Sequence, residues 1–163
     1  MHARIDDDVQ PHRLAFYELP SITLRDNAPF SDDAARAVWP CATGGWAAAS
    51  EGANGGWTYG HTFRGAAMRT LFTAPEAPTG VRITCDWEAW CATGQLEEED
   101  AFARFGPVTN GAGIQTGLVT FAGTTEVVAR VAGTLVVIAD GLGRVVVADT
   151  STGELVGDLR VGR

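Results

Sequence analysis

The sequence predicts an all-β protein, an antiparallel two-sheet β-sandwich with one short helix near residues 31–39. Three observations support this fold class. Twenty glycines and seven prolines are spread along the 163 residues rather than clustered, as short strands joined by turns require. Apolar and polar residues alternate in several segments, which is typical of strands with one buried face. Glycine-containing turns recur at regular intervals in the second half of the chain.

The beginning of the chain reads as an arm followed by strands. Residues 1–12 are predicted to be an extended N-terminal arm, and residues 13–163 a single sandwich domain. A chain of this length buries about 70% of the surface that its unfolded form exposes. Residues 13–19 and 21–25 are predicted to be short strands separated by Pro20.

The segment "FSDDAARAVWP" carries the signals of a short helix. Ser31 is a suitable N-cap, and Asp32 and Asp33 follow in the first turn, where the helix dipole favours negative charge. Pro40 would end the helix after two to three turns.

The middle of the chain combines a glycine-rich segment with two amphipathic ones. Residues 44–56, "GGWAAASEGANGG", are predicted to be a long loop. In the strand predicted over 57–63, alternation places Trp57, Tyr59 and His61 on one buried face. Residues 80–90 alternate in the same way and are predicted to be one half-buried strand, with Cys85 and Trp87 inward.

The second half predicts a meander of strands. The segments run over 114–122, 125–131, 134–140, 144–150 and 154–161. Turn residues separate them at Gly123, Gly133, 140–143 and 151–153. Because "LVVIA" and "VVVA" are apolar on both faces, the strands that contain them are predicted to be central in their sheet.

Charge excludes two classes of partner. The formal net charge is −8 and the twelve basic residues, all arginines, are scattered singly. Such a chain repels a phosphate backbone and an anionic membrane, so neither nucleic acid nor membrane is an expected partner. The N-terminus lacks the apolar core of a signal peptide, and no apolar run reaches the length of a membrane span. We expect a chain that is cytoplasmic or carried within an assembly.

Three cysteines, Cys41, Cys85 and Cys91, show no CxxC spacing. In a reducing compartment they are expected to be small buried side chains, and no metal or other cofactor is predicted. The segments "WPCATGG" and "WCATGQ" echo each other. If the two copies pair, Cys41 and Cys91 become neighbours; whether any cysteines pair stays open.

No arrangement of residues predicts catalysis, and no catalytic residue is assigned. His61 lies on the apolar face of its strand and is expected to be a core histidine. Asp86 and Glu88, two apart on one predicted strand face, would project side chains ~6–7 Å apart. This is a spacing that glycoside hydrolysis can use, with Trp90 beside them as a sugar platform. We favour the simpler interpretation, in which the pair belongs to the solvent face of an amphipathic strand.

Two sets of residues are the candidate interaction sites. Of the five tryptophans, Trp46 and Trp90 are predicted to be at the surface, where tryptophan marks a contact with sugar or with another subunit. The other set is an acidic patch, composed of Glu97, Glu98, Glu99 and Asp100.

The later part of the chain, over residues 55–160, resembles the concanavalin-like and related jelly-roll domains of tail and fibre proteins of tailed bacteriophages. The resemblance lies in the turn rhythm of "TEVVARVAGTLVVIADGLGRVVVADTSTGELVG", in which a Gly-Thr-led strand is followed by a DG turn. It implies a jelly-roll-like sandwich without a cofactor, self-association into a homo-oligomer, contact with neighbouring virion proteins, and glycan as a further candidate partner.

The leading hypothesis is a non-catalytic structural or binding protein, namely a tail, collar or capsid-decoration subunit of a virion that is cytoplasmic before assembly. The alternative is a cytoplasmic acidic inhibitor or immunity-type protein that binds a basic partner. A further alternative is a carbohydrate-binding or carbohydrate-active module.

Overall fold

The computed structural model describes residues 2–6, 12–18, 23–31, 34–42, 44–52, 54–63, 68–75, 79–97, 99–108 and 116–161. Over these residues it contains fifteen strands and no helix, so the all-β prediction is confirmed. The strands form one three-stranded and three four-stranded sheets. The chain divides into two compact units: residues 1–40 with 44–77 form the first unit, and residues 41–43 with 78–163 form the second.

The first unit holds two antiparallel meanders. The first comprises β1 (His2–Asp6), β2 (His12–Glu18) and β3 (Thr23–Ser31). The second comprises β4 (Ala34–Pro40), β5 (Gly45–Glu51), β6 (Trp57–Phe63) and β7 (Arg69–Ala74). Residues 1–12, predicted as an extended arm, therefore contain β1, which pairs with β2. The prediction of one domain over 13–163 stays a prediction.

The predicted helix near residues 31–39 is wrong. Strand β4 pairs with β5 from Ala34 opposite Glu51 to Pro40 opposite Trp46. Alanine's helix preference is worth only a few tenths of a kcal/mol per residue, whereas the strand pairing supplies partners for the backbone along the whole segment. Pro40 is tolerated because β4 is an edge strand.

The predicted loop over 44–56 is also wrong in its first half, because β5 occupies it. Ala47, Ala48 and Ala49 in this strand are almost fully buried. The expected core role of β6 is confirmed by Tyr59 and His61, which are 2% and 4% exposed. Tyr59 stacks on Phe72 with ring centroids 4.4 Å apart, and its burial raises the pKa of the phenol.

The second unit holds two more meanders. The first comprises β8 (Thr79–Cys85), β9 (Ala89–Glu97), β10 (Asp100–Pro107) and β11 (Gly117–Phe121). The second comprises β12 (Val127–Ala132), β13 (Leu135–Asp140), β14 (Arg144–Asp149) and β15 (Glu154–Arg160). The predicted meander is confirmed for β12 to β15, with β13 and β14 central as expected, whereas β11, its predicted first strand, pairs with β10 in the other sheet.

These two sheets pack on each other around a shared core. Strand β12 lies across β8, β9 and β10. The core residues are Cys91, Ala101, Ala103, Phe105, Val119, Phe121, Val136, Ile138, Val146 and Ala148. Small alanines in β10 face large side chains elsewhere in the core, which allows close packing of the layers.

The jelly-roll part of the prediction is not confirmed. In each sheet, hydrogen-bonded neighbours among the described strands are consecutive along the chain. A jelly roll is built from Greek keys, in which a later strand returns to lie beside an earlier one.

The meander turns depend on glycine: Gly133 and Gly143 have φ values of 61° and 90°, which favour glycine strongly.

The single strand predicted over 80–90 is wrong, because the chain reverses at Trp87 and Glu88 between β8 and β9. The backbone N–H of Asp86 donates to the carbonyl of Ala89 at 2.9 Å. Oδ1 of Asp86 accepts from the N–H groups of Glu88 and Ala89 at 2.8 and 2.9 Å. An aspartate that satisfies the backbone locally favours a turn over a continuing strand.

We expect Ile138→Ala to lower the free energy of unfolding by about 2–5 kcal/mol, because it opens a cavity at a fully buried position between the two sheets. The matched control is Val137→Ala on the same strand, where the side chain is 41% exposed and the expected loss is below about 1 kcal/mol. Denaturant unfolding measures both. Equal losses would contradict the shared core.

Candidate binding surface

The side of the β12–β15 sheet that faces away from the core is largely apolar. We call it the outer face. Directly opposed residues in antiparallel strands share a face, so the pairings define it as three rows across the four strands. The rows are Val128, Ala139, Val145 and Leu159; Arg130, Val137, Val147 and Gly157; and Ala132, Leu135, Asp149 and Glu154.

Large apolar side chains of the outer face are exposed. Val128 and Leu159, at opposite ends of the first row, are 65% and 64% exposed, and Leu135 and Val137 are each 41% exposed. Four strands ~4.8 Å apart and three rows ~7 Å apart cover ~400 Å². Eight of its twelve positions carry apolar side chains, and an apolar patch of a few hundred Å² commonly marks an interaction site.

The outer face carries three charged residues. Asp149 and Glu154 lie in the third row, and Arg130 lies in the second row. Asp149 is engaged locally: its Oδ1 accepts from the backbone N–H and the hydroxyl of Ser151 at 2.8 and 2.6 Å. These hydrogen bonds lower the pKa of the Asp149 carboxyl. Arg130 lies on edge strand β12 and Glu154 on edge strand β15. Among the described residues, neither forms an ion pair.

The structure places the predicted tryptophans differently from the sequence. Trp90, expected at the surface, is 1% exposed and donates from Nε1 to the carbonyl of Pro107 at 3.2 Å, so that expectation is wrong. Trp87, expected in the core, is 50% exposed at the tip of the β8–β9 turn. The added turn changes the outcome for Trp87 and Trp90, whereas Cys85 is buried as expected. Trp46 is partly buried on β5 in the first unit.

The predicted acidic patch falls on the β9–β10 hairpin. Glu97 ends β9 and Glu99 lies in the exposed turn. Asp100 begins β10, and its Oδ1 accepts from the backbone N–H of Gly123 at 3.0 Å. Glu98 and the side chain of Glu97 lie outside the described residues. Asp100 thus ties two turns together instead of presenting a carboxylate free for a basic partner.

The Asp86 and Glu88 pair does not lie on one strand face. Asp86 is 9% exposed, and its Oδ2 accepts from the N–H of Gly133 at 3.0 Å in addition to the two bonds at Oδ1. All three hydrogen bonds come from backbone N–H groups, so this carboxylate links the β8–β9 turn to the β12–β13 turn. The geometry on which the carbohydrate-active alternative depended is therefore absent from this pair.

Two of the cysteines are bonded rather than simply buried. Cys41 and Cys85 form a disulfide, which answers the open question of cysteine pairing. The N–H of Ala42 also donates to the carbonyl of Cys85 at 2.9 Å, which adds residues 41–43 to the second unit. Cys91 is a free thiol in the core, and its burial raises the pKa of the thiol strongly.

Sequence reasoning missed the outer face. The signal was present, because "LVVIA" and "VVVA" are apolar on both sides. Such runs predict central strands, which β13 and β14 are, but they do not say what covers the second apolar side. The pairings supply neighbours along the sheet, and the second apolar side remains exposed.

Comparisons with known proteins identify no relative: neither a protein-family model nor a curated protein matches this sequence. The described residues also include no helix that is long and apolar enough to cross a membrane.

We expect Asp86→Asn to lower the free energy of unfolding by about 1–3 kcal/mol. An amide keeps one acceptor oxygen but turns a donor toward one of the N–H groups that the carboxylate now satisfies. The control is Asp158→Asn, which removes the charge of an exposed ion pair with Arg144 and is expected to cost at most about 1 kcal/mol. A loss at Asp86 no larger than at Asp158 would contradict the turn-linking role.

Thiol counting tests the cysteine assignment. Because Cys91 is buried, we expect slow reaction in the native protein, one reactive thiol in denaturant without reductant, and three after reduction. Reduction should also destabilise the chain by about 4 kcal/mol, because the bond closes a 44-residue separation. Cys91→Ala should leave none reactive before reduction. Three thiols in non-reducing denaturant would show that the disulfide does not form.

Proposed function

We propose that the chain is a non-catalytic structural protein that self-associates through the outer face of the β12–β15 sheet, and that the assembly it serves is a virion. The observation that carries the proposal is the apolar row of Val128, Ala139, Val145 and Leu159, which crosses all four strands and is exposed at both ends. An apolar sheet face is covered most completely by another sheet face of the same shape, and a second copy of this chain supplies one.

The area is sufficient for a modest self-contact. Two faces of ~400 Å² bury ~800 Å² together, near the lower limit of specific interfaces once a rim is added. About two thirds of this area is apolar, so at ~25 cal/mol per Å² its burial contributes ~13 kcal/mol before the cost of association, which is of comparable size. The contact is therefore reversible in dilute solution and is strengthened where many copies are held together, as in a particle.

The charges of the face select one two-fold arrangement. A two-fold axis that lies between the two faces and runs perpendicular to the strands would place β12 over β12 of the partner. The two copies of Arg130 would then lie opposite each other, and their like charges repel. An axis parallel to the strands places β12 over β15 of the partner. Arg130 then lies above Gly157, which leaves room for the guanidinium, and near Glu154, one row away. Two reciprocal pairs of Arg130 and Glu154 follow from the symmetry.

The virion assignment draws on two further features. The turn rhythm of residues 125–157 resembles that of tail and fibre domains of tailed bacteriophages. The Cys41–Cys85 disulfide is of a kind that persists in oxidising surroundings, among them the surfaces of virions. An extracellular particle would expose the chain to such conditions after release.

We expect sedimentation equilibrium to show a concentration-dependent homo-oligomer that persists at high salt, because the contact is mainly apolar. Leu159→Arg should weaken it at least about tenfold by placing a charge within the interface. The control is Leu118→Arg, an equally exposed leucine (62%) on β11 of the other sheet, which should leave the association unchanged. A wild-type monomer at all concentrations, or equal effects of both variants, would contradict the proposal.

The arrangement itself is tested by exchanging the two charges. Arg130→Glu alone and Glu154→Arg alone should each weaken the oligomer, and the double exchange should restore much of the affinity. Additive losses without recovery would exclude the axis parallel to the strands while leaving the apolar contact in place.

A further inference from the structure

A polar groove of about 530 Å³ lies in the second unit where the beginning of β12 crosses β8 and β9. Its volume is within the range of small-molecule sites. The side chains that give it its chemistry are Arg82, Thr93, Gln95, Thr125, Glu126 and Val127. Val128, the first residue of the outer face's first row, also lines the groove, so the groove adjoins the outer face.

An irregularity in β8 helps to form the groove. The register with β9 shifts between Thr79, opposite Gln95, and Arg82, opposite Thr93. Gly80 lies within the shift with φ of 66°, a conformation that favours glycine. Bulges of this type redirect the following side chains and are frequent beside functional sites. Here the bulge interrupts the regular hydrogen-bond ladder between edge strand β8 and β9 next to Arg82.

The groove contains one positively charged side chain, Arg82, and one negatively charged side chain, Glu126, which do not form an ion pair with each other. Among the described residues, Arg82 forms no ion pair with Glu126 or with another carboxylate. Glu126 is held by its backbone: its N–H donates to the Thr124 hydroxyl at 3.2 Å, and its carbonyl accepts from Gly141 N–H at 3.1 Å. The carboxylate therefore starts from a fixed backbone position and retains its capacity for a ligand.

We infer that this groove binds a small sugar acid, a ring that carries one carboxylate and several hydroxyl groups. The planar guanidinium of Arg82 suits a two-point hydrogen bond to the ligand carboxylate. Glu126 accepts from sugar hydroxyls, and Thr93 and Gln95 can donate or accept. A phosphate carries more negative charge and would meet Glu126 in the same groove, which disfavours it. A singly charged, hydroxyl-rich ligand suits Arg82 and Glu126 together.

The test is a titration of the full ¹⁵N-labelled chain by NMR with three probes: D-glucuronate, D-glucose and triglycine. We expect glucuronate to shift the amide signals of β8, β9 and the start of β12, and to bind at least about tenfold more tightly than the other two. Arg82→Gln should remove that advantage and leave the binding of glucose unchanged. Arg160→Gln, an exposed arginine on β15 away from the groove, is the matched control and should change nothing.

Each other outcome overturns the inference. Equal affinity for glucuronate and glucose removes the role of the carboxylate, and tighter binding of triglycine indicates a peptide site instead. Shifts outside the groove, unchanged binding in Arg82→Gln, or no shifts with any probe show that the groove is not a sugar-acid site. The oligomer variant Leu159→Arg should bind glucuronate as the wild type does, so failure of this inference and failure of self-association are distinguishable.

Discussion

The second unit depends on the carboxylate of Asp86. Its two oxygens accept three backbone N–H groups, two in its own turn and one at Gly133, 47 positions along the chain. The first two bonds reverse the chain between β8 and β9. The third joins that reversal to the turn between β12 and β13, so one side chain holds a turn of each packed sheet. Removing it would leave buried donors unsatisfied on both sides.

Two other polar links lie at the opposite margin of the same pair of sheets. Arg144 on β14 donates to the carbonyl of Thr120, stacks 5.2 Å from the centre of the Phe121 ring, and pairs with Asp158 on β15. Asp100 on β10 accepts from Gly123 in the β11–β12 connection. The apolar core between the sheets is thus bounded by side chains that join the two layers.

The sequence predicts much of this unit and less of the other because the signals differ in kind. From β11 to β15 the turns contain glycine at positions with positive φ, so local residues specify each reversal. The reversal at Asp86 depends on a side chain that accepts from the backbone N–H groups just after it, and regular alternation by itself predicts one continuous strand. In the first unit, Ser31 and the alanines favour a helix locally, and the pairing of β4 with β5 overrides that preference.

The outer face could not be identified because apolar residues on both sides of a strand indicate burial without saying which chain provides it.

The disulfide between Cys41 and Cys85 has a consequence for covalent integrity. Together with the two cysteines, the 43 residues between them form a closed covalent ring that includes β5, β6 and β7. The rest of the chain enters and leaves this ring at the disulfide. A protease that cuts once anywhere inside this ring opens it without releasing a fragment. The cleaved protein keeps its mass under non-reducing conditions, and only a reductant separates the two pieces. Outside a cell, where reductants are scarce, a nick in this part of the chain is tolerated.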